Sequence, residues 1–222
     1  MTYGHLLGET LRRAAGAADL PTLLATRVTA PLAADFHIGL CPADQARCAQ
    51  LGQTDPRALF RAPEEDPDSL FARSMAFFAR NEDFNTAPWR SAVIGSGSGH
   101  ATARALATLY GQFIWPGAIL SPVCQHALRA EQAPTALDPI PGLPLVLGQG
   151  IERTCPPGFD FGPGPDTVGH WGAGGAQAFA DPATGLSFGY VTGHMSDRIG
   201  TSRRTAALVR MLYQCLQGAT VD

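Results

Sequence analysis

The amino-acid sequence predicts an α+β fold in which helices come first and an antiparallel sheet comes last. Apolar residues recur at helical spacing in the N-terminal half of the chain. After residue 134 the pattern changes to Pro/Gly-rich loops and short alternating segments, which are typical of antiparallel strands. A final amphipathic segment, residues 202–217, predicts a helix that packs on this sheet.

Residues 1–133 are predicted to be the mostly helical part of one domain. Asp19 and Pro21 indicate the start of a second helix, and Ser98 and Ser121 are the expected caps of two later ones. The segment DFHIGL is expected to be a connector, and residues 81–100 a long loop. The other predicted helices cover residues 2–15, with Tyr3, Leu6, Leu7, Leu11 and Ala14 on one side, residues 42–51, and residues 69–80, with Phe71, Met75 and Phe78 facing a core.

Residues 134–222 are predicted to form about three antiparallel strands and the C-terminal helix of the same domain. One strand lies near residues 144–152. The stretch 169–193, GHWGAGGAQAFADPATGLSFGYVTG, predicts two strands joined by the turn DPATG, in which Pro182 presets φ and Gly185 can take positive φ. The expected buried stripe of the last helix consists of Leu208, Val209, Leu212, Cys215 and Leu216.

The amino-acid composition and net charge exclude several classes of protein function. Of 222 residues, 45% are hydrophobic and 16% are charged, as in soluble globular proteins. A net charge of -3 gives no electrostatic footprint for nucleic acid, and no window reaches the ~20 apolar residues of a membrane helix. The N-terminus does not resemble a signal peptide. The five cysteines are scattered and never form CxxC, so we expect a reduced, cytoplasmic protein without a metal site or a cofactor.

All 16 basic residues are arginine, and the chain contains no lysine. A Walker-A lysine, a Schiff-base lysine and a Ser-x-x-Lys pair are therefore excluded within this sequence. The segment GSGSG, residues 95–99, does not place a serine centrally between the two glycines of a nucleophile elbow. It also lacks the glycine spacing of a dinucleotide fingerprint, so it predicts a flexible loop.

The segment GHWGAGGA, residues 169–176, combines one histidine with a backbone that carries few side chains. Such a run weakens a strand and is usually found where another group approaches the backbone closely. One interpretation is tight packing or a bulge. The other is a substrate-binding edge, where N–H groups point at an acyl oxygen and His170 lies beside it.

The stretch 169–193 closely resembles the C-terminal motif of the serine β-lactamase-like hydrolases: class C β-lactamases, penicillin-binding-protein relatives and family VIII esterases. Their third motif is often Lys-Thr-Gly, and in the esterase-like branch often His-x-Gly. The segments TYGHLLGETLRRAAG, APLAADFHIGL and SGSGHATARALATLYG also resemble family segments, so the resemblance covers nearly the whole chain. The matching motif residues are His170-Trp171-Gly172, Ala173-Gly174-Gly175, Asp181-Pro182 and Phe188-Gly189-Tyr190-Val191.

The resemblance implies a partial β-lactamase/transpeptidase-like fold and a site around the third motif. His170 would take the position of the motif's lysine, near the acyl or carboxylate group of a substrate. The backbone N–H of Ala173 would be one of two oxyanion donors, each typically worth ~10²–10³ in rate. Gly172 would clear space, and Gly174 belongs to the same implied substrate-binding set. Trp171 would form an apolar wall for an acyl chain or pack in the core.

The resemblance also implies that the nucleophilic serine, its lysine base and the tyrosine motif lie before Met1. Within the chain, Ser69, Ser74, Ser91 and Ser121 each lack a lysine three positions later. We therefore expect the C-terminal part of a serine hydrolase that is inactive alone. When completed by an N-terminal part, it would act on a small-molecule ester or lactam.

Two other functions stay open on the sequence. One is a non-catalytic remnant of the family, and the other is an α+β module whose sheet edge captures a ligand or a peptide. The resemblance implies that N-terminal strands complete this sheet in the family and that they are absent here, so we expect an open edge through which the chain could self-associate. We expect no nucleic-acid partner and no membrane partner.

Overall fold

A computed structural model of the protein describes residues 2–52, 66–75, 84–117, 119–132, 136–138, 142–197 and 200–218. The helices are α1 Thr2–Ala14, α2 Leu20–Leu24, α3 Pro42–Gln45, α4 Leu70–Met75, α5 Ala87–Ser91, α6 Ala103–Gly111, α7 Pro122–Arg129 and α8 Arg203–Gly218, and a π-helix, Ala25–Thr29, extends α2. The strands are β1 Phe36–Ile38, β2 Gly99–Ala101, β3 Ala136–Leu137, β4 Pro144–Leu147, β5 Glu152–Arg153, β6 Val168–Trp171, β7 Gln177–Asp181 and β8 Leu186–Tyr190.

Strands β3 to β8 form one antiparallel sheet in chain order, and β1 pairs with β2 in a separate two-stranded sheet. On one side of the large sheet, Val209 and Tyr213 of α8 pack in a core cluster with Phe159, Phe161 and Phe179. A second cluster of Ile151, Val168 and Ala180 packs against Tyr110 of α6 and the residues that follow this helix. The sheet is thus covered by helices from both halves of the chain.

Helix α6 lies directly against β7 and β8. A Cβ at Gly189 would collide with the Ala103 carbonyl oxygen of this helix, so the Phe-Gly-Tyr sequence of β8 permits the close approach. The hydroxyl of Ser187 adds a hydrogen bond to the Ala107 carbonyl. This packing joins the residues around the third motif to the preceding helical region.

The α+β class with an antiparallel sheet is confirmed, and so are several local predictions. The Asp19 carboxylate accepts a hydrogen bond from the Thr22 N–H at 2.7 Å and caps α2. The Ser121 hydroxyl caps α7 at Cys124 N–H. Helix α8 begins and ends within one residue of its predicted bounds. Each of these features depends on residues that are close in sequence.

Other predictions were wrong. The large sheet has six strands, not about three: residues 136–137 form β3, residues 144–153 contain two strands, and residues 168–190 contain three. The connector DFHIGL contains β1, and the predicted loop 81–100 contains α5 and the start of β2. Thr102, not Ser98, caps α6; Ser98 is buried and its hydroxyl bonds the Ala92 carbonyl at 2.7 Å. Strands β1 and β2 depend on non-local pairing, such as that of Phe36 with Ala101.

The buried faces of the first and last helices also differ from the expected stripes. In α8 the buried residues are Thr205, Val209 and Tyr213, whereas Leu208, Cys215 and Leu216 are exposed. In α1 only Gly8 is buried, although the apolar side is well formed. Of the predicted helix 69–80, Leu70–Met75 is confirmed, while Phe78 lies outside the described residues. Exposed residues of the α1 stripe include Tyr3, Leu6, Leu7 and Leu11.

Among the described residues, no helix is both long and apolar enough to span a bilayer. The division at residues 133/134 and the predicted self-association through a sheet edge stay predictions.

Candidate active site

The run that follows His170 is a turn, not a strand as the sequence suggested. Strand β6 ends at Trp171 and β7 begins at Gln177. The Gly172 N–H donates to the Ala176 carbonyl at 2.7 Å, and the Gly175 N–H donates to the Gly172 carbonyl at 2.9 Å. The small residues 172–176 therefore reverse the chain between two paired strands.

Three glycines of the motif are required by packing or backbone conformation. A Cβ at Gly169 would lie 2.7 Å from the Ala178 carbonyl oxygen and 2.8 Å from the Phe161 ring. Gly174 has φ +92° and Gly175 has φ +100°, which side-chain-bearing residues rarely adopt. Gly174 is buried against Met195, so it shapes the turn and does not face solvent.

Gly172 and Ala173 belong to a different environment. A Cβ at Gly172 would make only an ordinary contact, 3.5 Å from Ala176 Cβ. Ala173 is exposed, and within the described part of the chain its backbone N–H donates no hydrogen bond. An N–H at the surface of a turn can donate a hydrogen bond to a ligand oxygen without breaking the sheet. The predicted oxyanion donor is therefore available.

His170 lies at the end of β6, next to this turn. Its side chain is 56% exposed. The Nδ1 atom contacts the Trp171 carbonyl oxygen, and Nε2 lies 3.6 Å from the Glu152 Oε1 atom. The imidazole is thus open to solvent on one side and held by polar groups on the other.

Trp171 packs towards the protein interior. Its ring stacks on Phe159 of the core cluster with a centroid distance of 5.9 Å. The side chain is half-buried, and its Nε1 atom has no hydrogen-bond partner among the described residues. Of the two interpretations of Trp171, this position favours the core aromatic.

Glu152 is a site residue that sequence reasoning missed. It is the first residue of β5, and its side chain is only 11% exposed. Burial raises the pKa of this carboxyl from its usual 4.5 to about 6, against the opposing effects of His170 and the Trp171 indole. Trp171 Nε1 and Glu152 Oε2 are both buried and have no hydrogen-bond partner among the described residues. The available signal was a single acidic residue in the apolar segment PLVLGQGIER.

The start of helix α1 approaches the same end of the sheet. A Cβ at Gly150, two residues before Glu152, would lie 3.1 Å from the Tyr3 hydroxyl. Gly4 packs on the Gly95–Ser96 loop, where a Cβ would lie 2.6 Å from the Ser96 N atom. The first residues of α1 therefore lie close to the start of β5.

The described residues contain no group of three or more His, Cys, Asp or Glu side chains that could hold a metal ion. The site combines an unused N–H, an imidazole and a buried carboxyl. These groups can bind a carbonyl oxygen and hold or transfer a proton.

Comparison with known proteins supplies the context. The Beta-lactamase family profile matches residues 1–210. The chain resembles the solved structure of EstA from Arthrobacter nitroguajacolicus Rue61a, with a TM-score of 0.81, 25% identity and 98% of the chain covered. It also resembles a novel penicillin-binding protein homologue from Caulobacter crescentus, with a TM-score of 0.77, 31% identity and 96% of the chain covered. A third similar structure is that of a family VIII carboxylesterase, with a TM-score of 0.74, 28% identity and 96% of the chain covered. A search of curated proteins finds no match.

The chain spans 59%, 57% and 56% of the lengths of these three structures, in the same order. Their fold therefore extends beyond the residues of this chain, whereas nearly all of this chain lies within their fold. Because the family match covers almost the whole sequence, the chain belongs to the Beta-lactamase family.

Proposed function

We propose that this chain is the C-terminal part of an esterase-type serine hydrolase of the Beta-lactamase family. It supplies the third-motif side of an active site, and the nucleophilic serine, its base and the tyrosine motif come from an N-terminal part. In this proposal the 222-residue chain is inactive alone. The five unpaired cysteines support a cytoplasmic location for it.

The observation that carries the proposal is the pairing of an exposed imidazole with a free N–H at one turn. His170 is exposed, and the Ala173 N–H makes no hydrogen bond to any other described residue. Gly169, Gly174 and Gly175 account for the packing and the backbone conformation of this turn. Neither of these requires an exposed imidazole beside a free N–H. The carboxylesterase and EstA structures are further support for ester chemistry.

Each group has a defined role in the proposed reaction. The Ala173 N–H binds the oxygen of the ester carbonyl and stabilises the negative charge that develops when the serine attacks. His170 lies beside this oxygen and holds a proton near the leaving group. The attacking serine divides acyl transfer into acylation and deacylation. Gly172 leaves room for the acyl group, and Gly174 holds the turn that presents Ala173.

The test compares the chain alone with the chain joined to the N-terminal segment encoded upstream or on a separate gene. Both are treated with a fluorophosphonate and assayed with p-nitrophenyl butyrate. We expect no labelling of the 222-residue chain, and labelling of one serine outside residues 1–222 together with ester hydrolysis in the completed protein. Stoichiometric labelling of a serine within residues 1–222 would overturn the proposal. A completed protein that folds but neither reacts nor hydrolyses would be the non-catalytic remnant.

Variants of the completed protein test the named residues. His170→Ala should reduce turnover by ~10²-fold, the usual effect of one positioned acid–base group. Ala173→Pro removes the N–H and should cost ~10²–10³-fold. Ala173→Gly keeps the N–H and should retain much more of the rate than Ala173→Pro. Wild-type rates for His170→Ala would return the turn to a purely structural role.

A further inference from the structure

The two ring nitrogens of His170 face two groups that accept hydrogen bonds. Nδ1 contacts the carbonyl oxygen of Trp171, which can only accept. Nδ1 must therefore carry a hydrogen. In a neutral imidazole with that tautomer, Nε2 presents a lone pair.

That lone pair would point at another acceptor. Nε2 lies 3.6 Å from Glu152 Oε1, and an ionised carboxylate likewise has only lone pairs to offer. Two facing acceptors repel each other unless one of them binds a proton. One proton bound by the pair would remove this repulsion, either as an imidazolium beside a carboxylate or as a neutral imidazole beside a carboxylic acid. Both forms have a net charge of zero.

The surroundings of Glu152 favour retention of this proton. The carboxyl is buried, and its Oε2 atom finds no partner in the described part of the structure. Burial raises the pKa of Glu152 to about 6, while the positive charge on His170 opposes the rise. The partly buried Tyr110 of α6 also faces Glu152: burial raises the pKa of its phenol, and the negative charge of Glu152 raises it further. The neighbouring Arg153 guanidinium instead binds Asp166 at 2.9 Å.

We propose that Glu152 is a positioning residue that fixes the His170 imidazole and keeps the pair uncharged, so that the site prefers esters without a carboxylate over carboxylate-bearing substrates. This inference rests on the proposed function and specifies its substrate class. An uncharged acyl chain that binds beside His170 would contact no unpaired charge, because the His170–Glu152 pair is neutral. A substrate carboxylate meets a histidine whose positive charge is already neutralised by Glu152.

The first experiment uses the 222-residue chain and needs no activity. Carboxyl ¹³C NMR follows the titration of Glu152 in the wild type and in the variant His170→Gln. The control variant is His126→Gln, because His126 is an exposed histidine on α7. The wild-type midpoint should lie near pH 6. His170→Gln should raise it by about half a unit, the size expected for a pair with one solvent-exposed member. His126→Gln should leave it in place. A Glu152 midpoint that His170→Gln does not move would overturn the pairing.

The second experiment measures specificity in the completed protein at pH 6, close to the pKa of the Glu152 carboxyl. It compares kcat/KM for p-nitrophenyl butyrate with that for a p-nitrophenyl ester bearing a free carboxylate. Glu152→Gln leaves the imidazole charge unneutralised and should shift the ratio about tenfold towards the carboxylate-bearing ester. Glu152→Asp keeps the negative charge and should restore part of the wild-type ratio.

The outcomes separate the two proposals. If Glu152 were only structural, Glu152→Gln would lower both rates equally and leave the ratio unchanged, which would overturn the specificity role. If neither ester were hydrolysed by the completed wild-type protein, the proposed function and the substrate preference would fall together. The NMR result on the Glu152–His170 pair would still stand.

Discussion

Gly169 and Gly172 are neighbours on the same motif, yet a methyl group added to each would meet different surroundings. At Gly169 it would lie 2.7 Å from a backbone oxygen, whereas at Gly172 its nearest neighbour is another methyl group at 3.5 Å. Gly174 and Gly175 resemble Gly169, because positive φ and close contacts require them. The motif thus has a packed side, Gly169 with Gly174 and Gly175, and an open side, Gly172 with Ala173.

This difference shows that one glycine-rich segment serves two purposes. The packed side explains why the tight-packing interpretation of the sequence was partly right. The open side contains the residues for which packing offers no explanation, and it is adjacent to His170. A graded series of alanine variants can therefore separate structural from functional glycines.

The largest effect is expected from Gly169→Ala on the packed side. The new methyl group would collide with the Ala178 carbonyl and the Phe161 ring, and neither can move without disturbing the β6–β7 pairing or the core. Overpacking of this kind should lower the free energy of unfolding by about 3 kcal/mol. Urea denaturation of the 222-residue chain measures it. A loss as small as that of Gly172→Ala would contradict the division into two sides.

Glu152 should make stability depend on pH. Its pKa in the folded protein, about 6, lies above its usual 4.5, so the native state favours the protonated form. The stabilisation is present below pH 4.5 and is lost as the pH rises through 6. The shift corresponds to about 2 kcal/mol. Urea unfolding of the wild type and Glu152→Gln between pH 4 and pH 7 should show the wild type losing this advantage. Parallel pH profiles would contradict the burial of the carboxyl.

Gly174→Ala should have an intermediate effect of about 1–2 kcal/mol, because a side chain is forced into positive φ and against Met195. Gly185→Ala is the matched control, since Gly185 has φ +70° and no atom within 4 Å of the added methyl group. The difference between the two variants, measured by urea denaturation, reports the Met195 contact together with the larger φ of Gly174. Equal losses would show that conformation, not packing, fixes Gly174.

The smallest stability effect is expected from Gly172→Ala on the open side. The added methyl group makes only an ordinary contact, so the free energy of unfolding should change by about 0.5 kcal/mol or less. In the completed protein the same variant should reduce turnover, because the methyl group takes up room for the substrate. Unchanged stability together with unchanged turnover would remove Gly172 from the proposed site.

Helices α1 and α8 differ in how much of their apolar side is buried. Both have a clear apolar side, but α8 buries Val209 and Tyr213 against the sheet, whereas α1 leaves Leu6 and Leu11 exposed. A periodic sequence predicts that a helix has a face to bury, and it does not say whether the covering element lies in the same chain. The structures similar to this chain are much longer than it.

The sequence by itself determined the features that depend on near neighbours. These include the caps at Asp19 and Ser121, the β7–β8 hairpin around Asp181-Pro182, and the extent of α8. Their hydrogen bonds and periodicity are set within a few residues, so the local pattern suffices. The family motif at His170 could be identified for the same reason, since it is continuous in the chain.

Only the tertiary structure decided which of these residues meet. The Pro/Gly-rich segment that contains Phe159 and Phe161 forms neither a helix nor a strand, yet both rings are in the core. The strand β1 exists because Phe36 pairs with Ala101, far along the chain. Glu152 meets His170 because β5 pairs with β6 across a long loop. Such contacts depend on how distant segments pack together, and no short window of sequence carries that information.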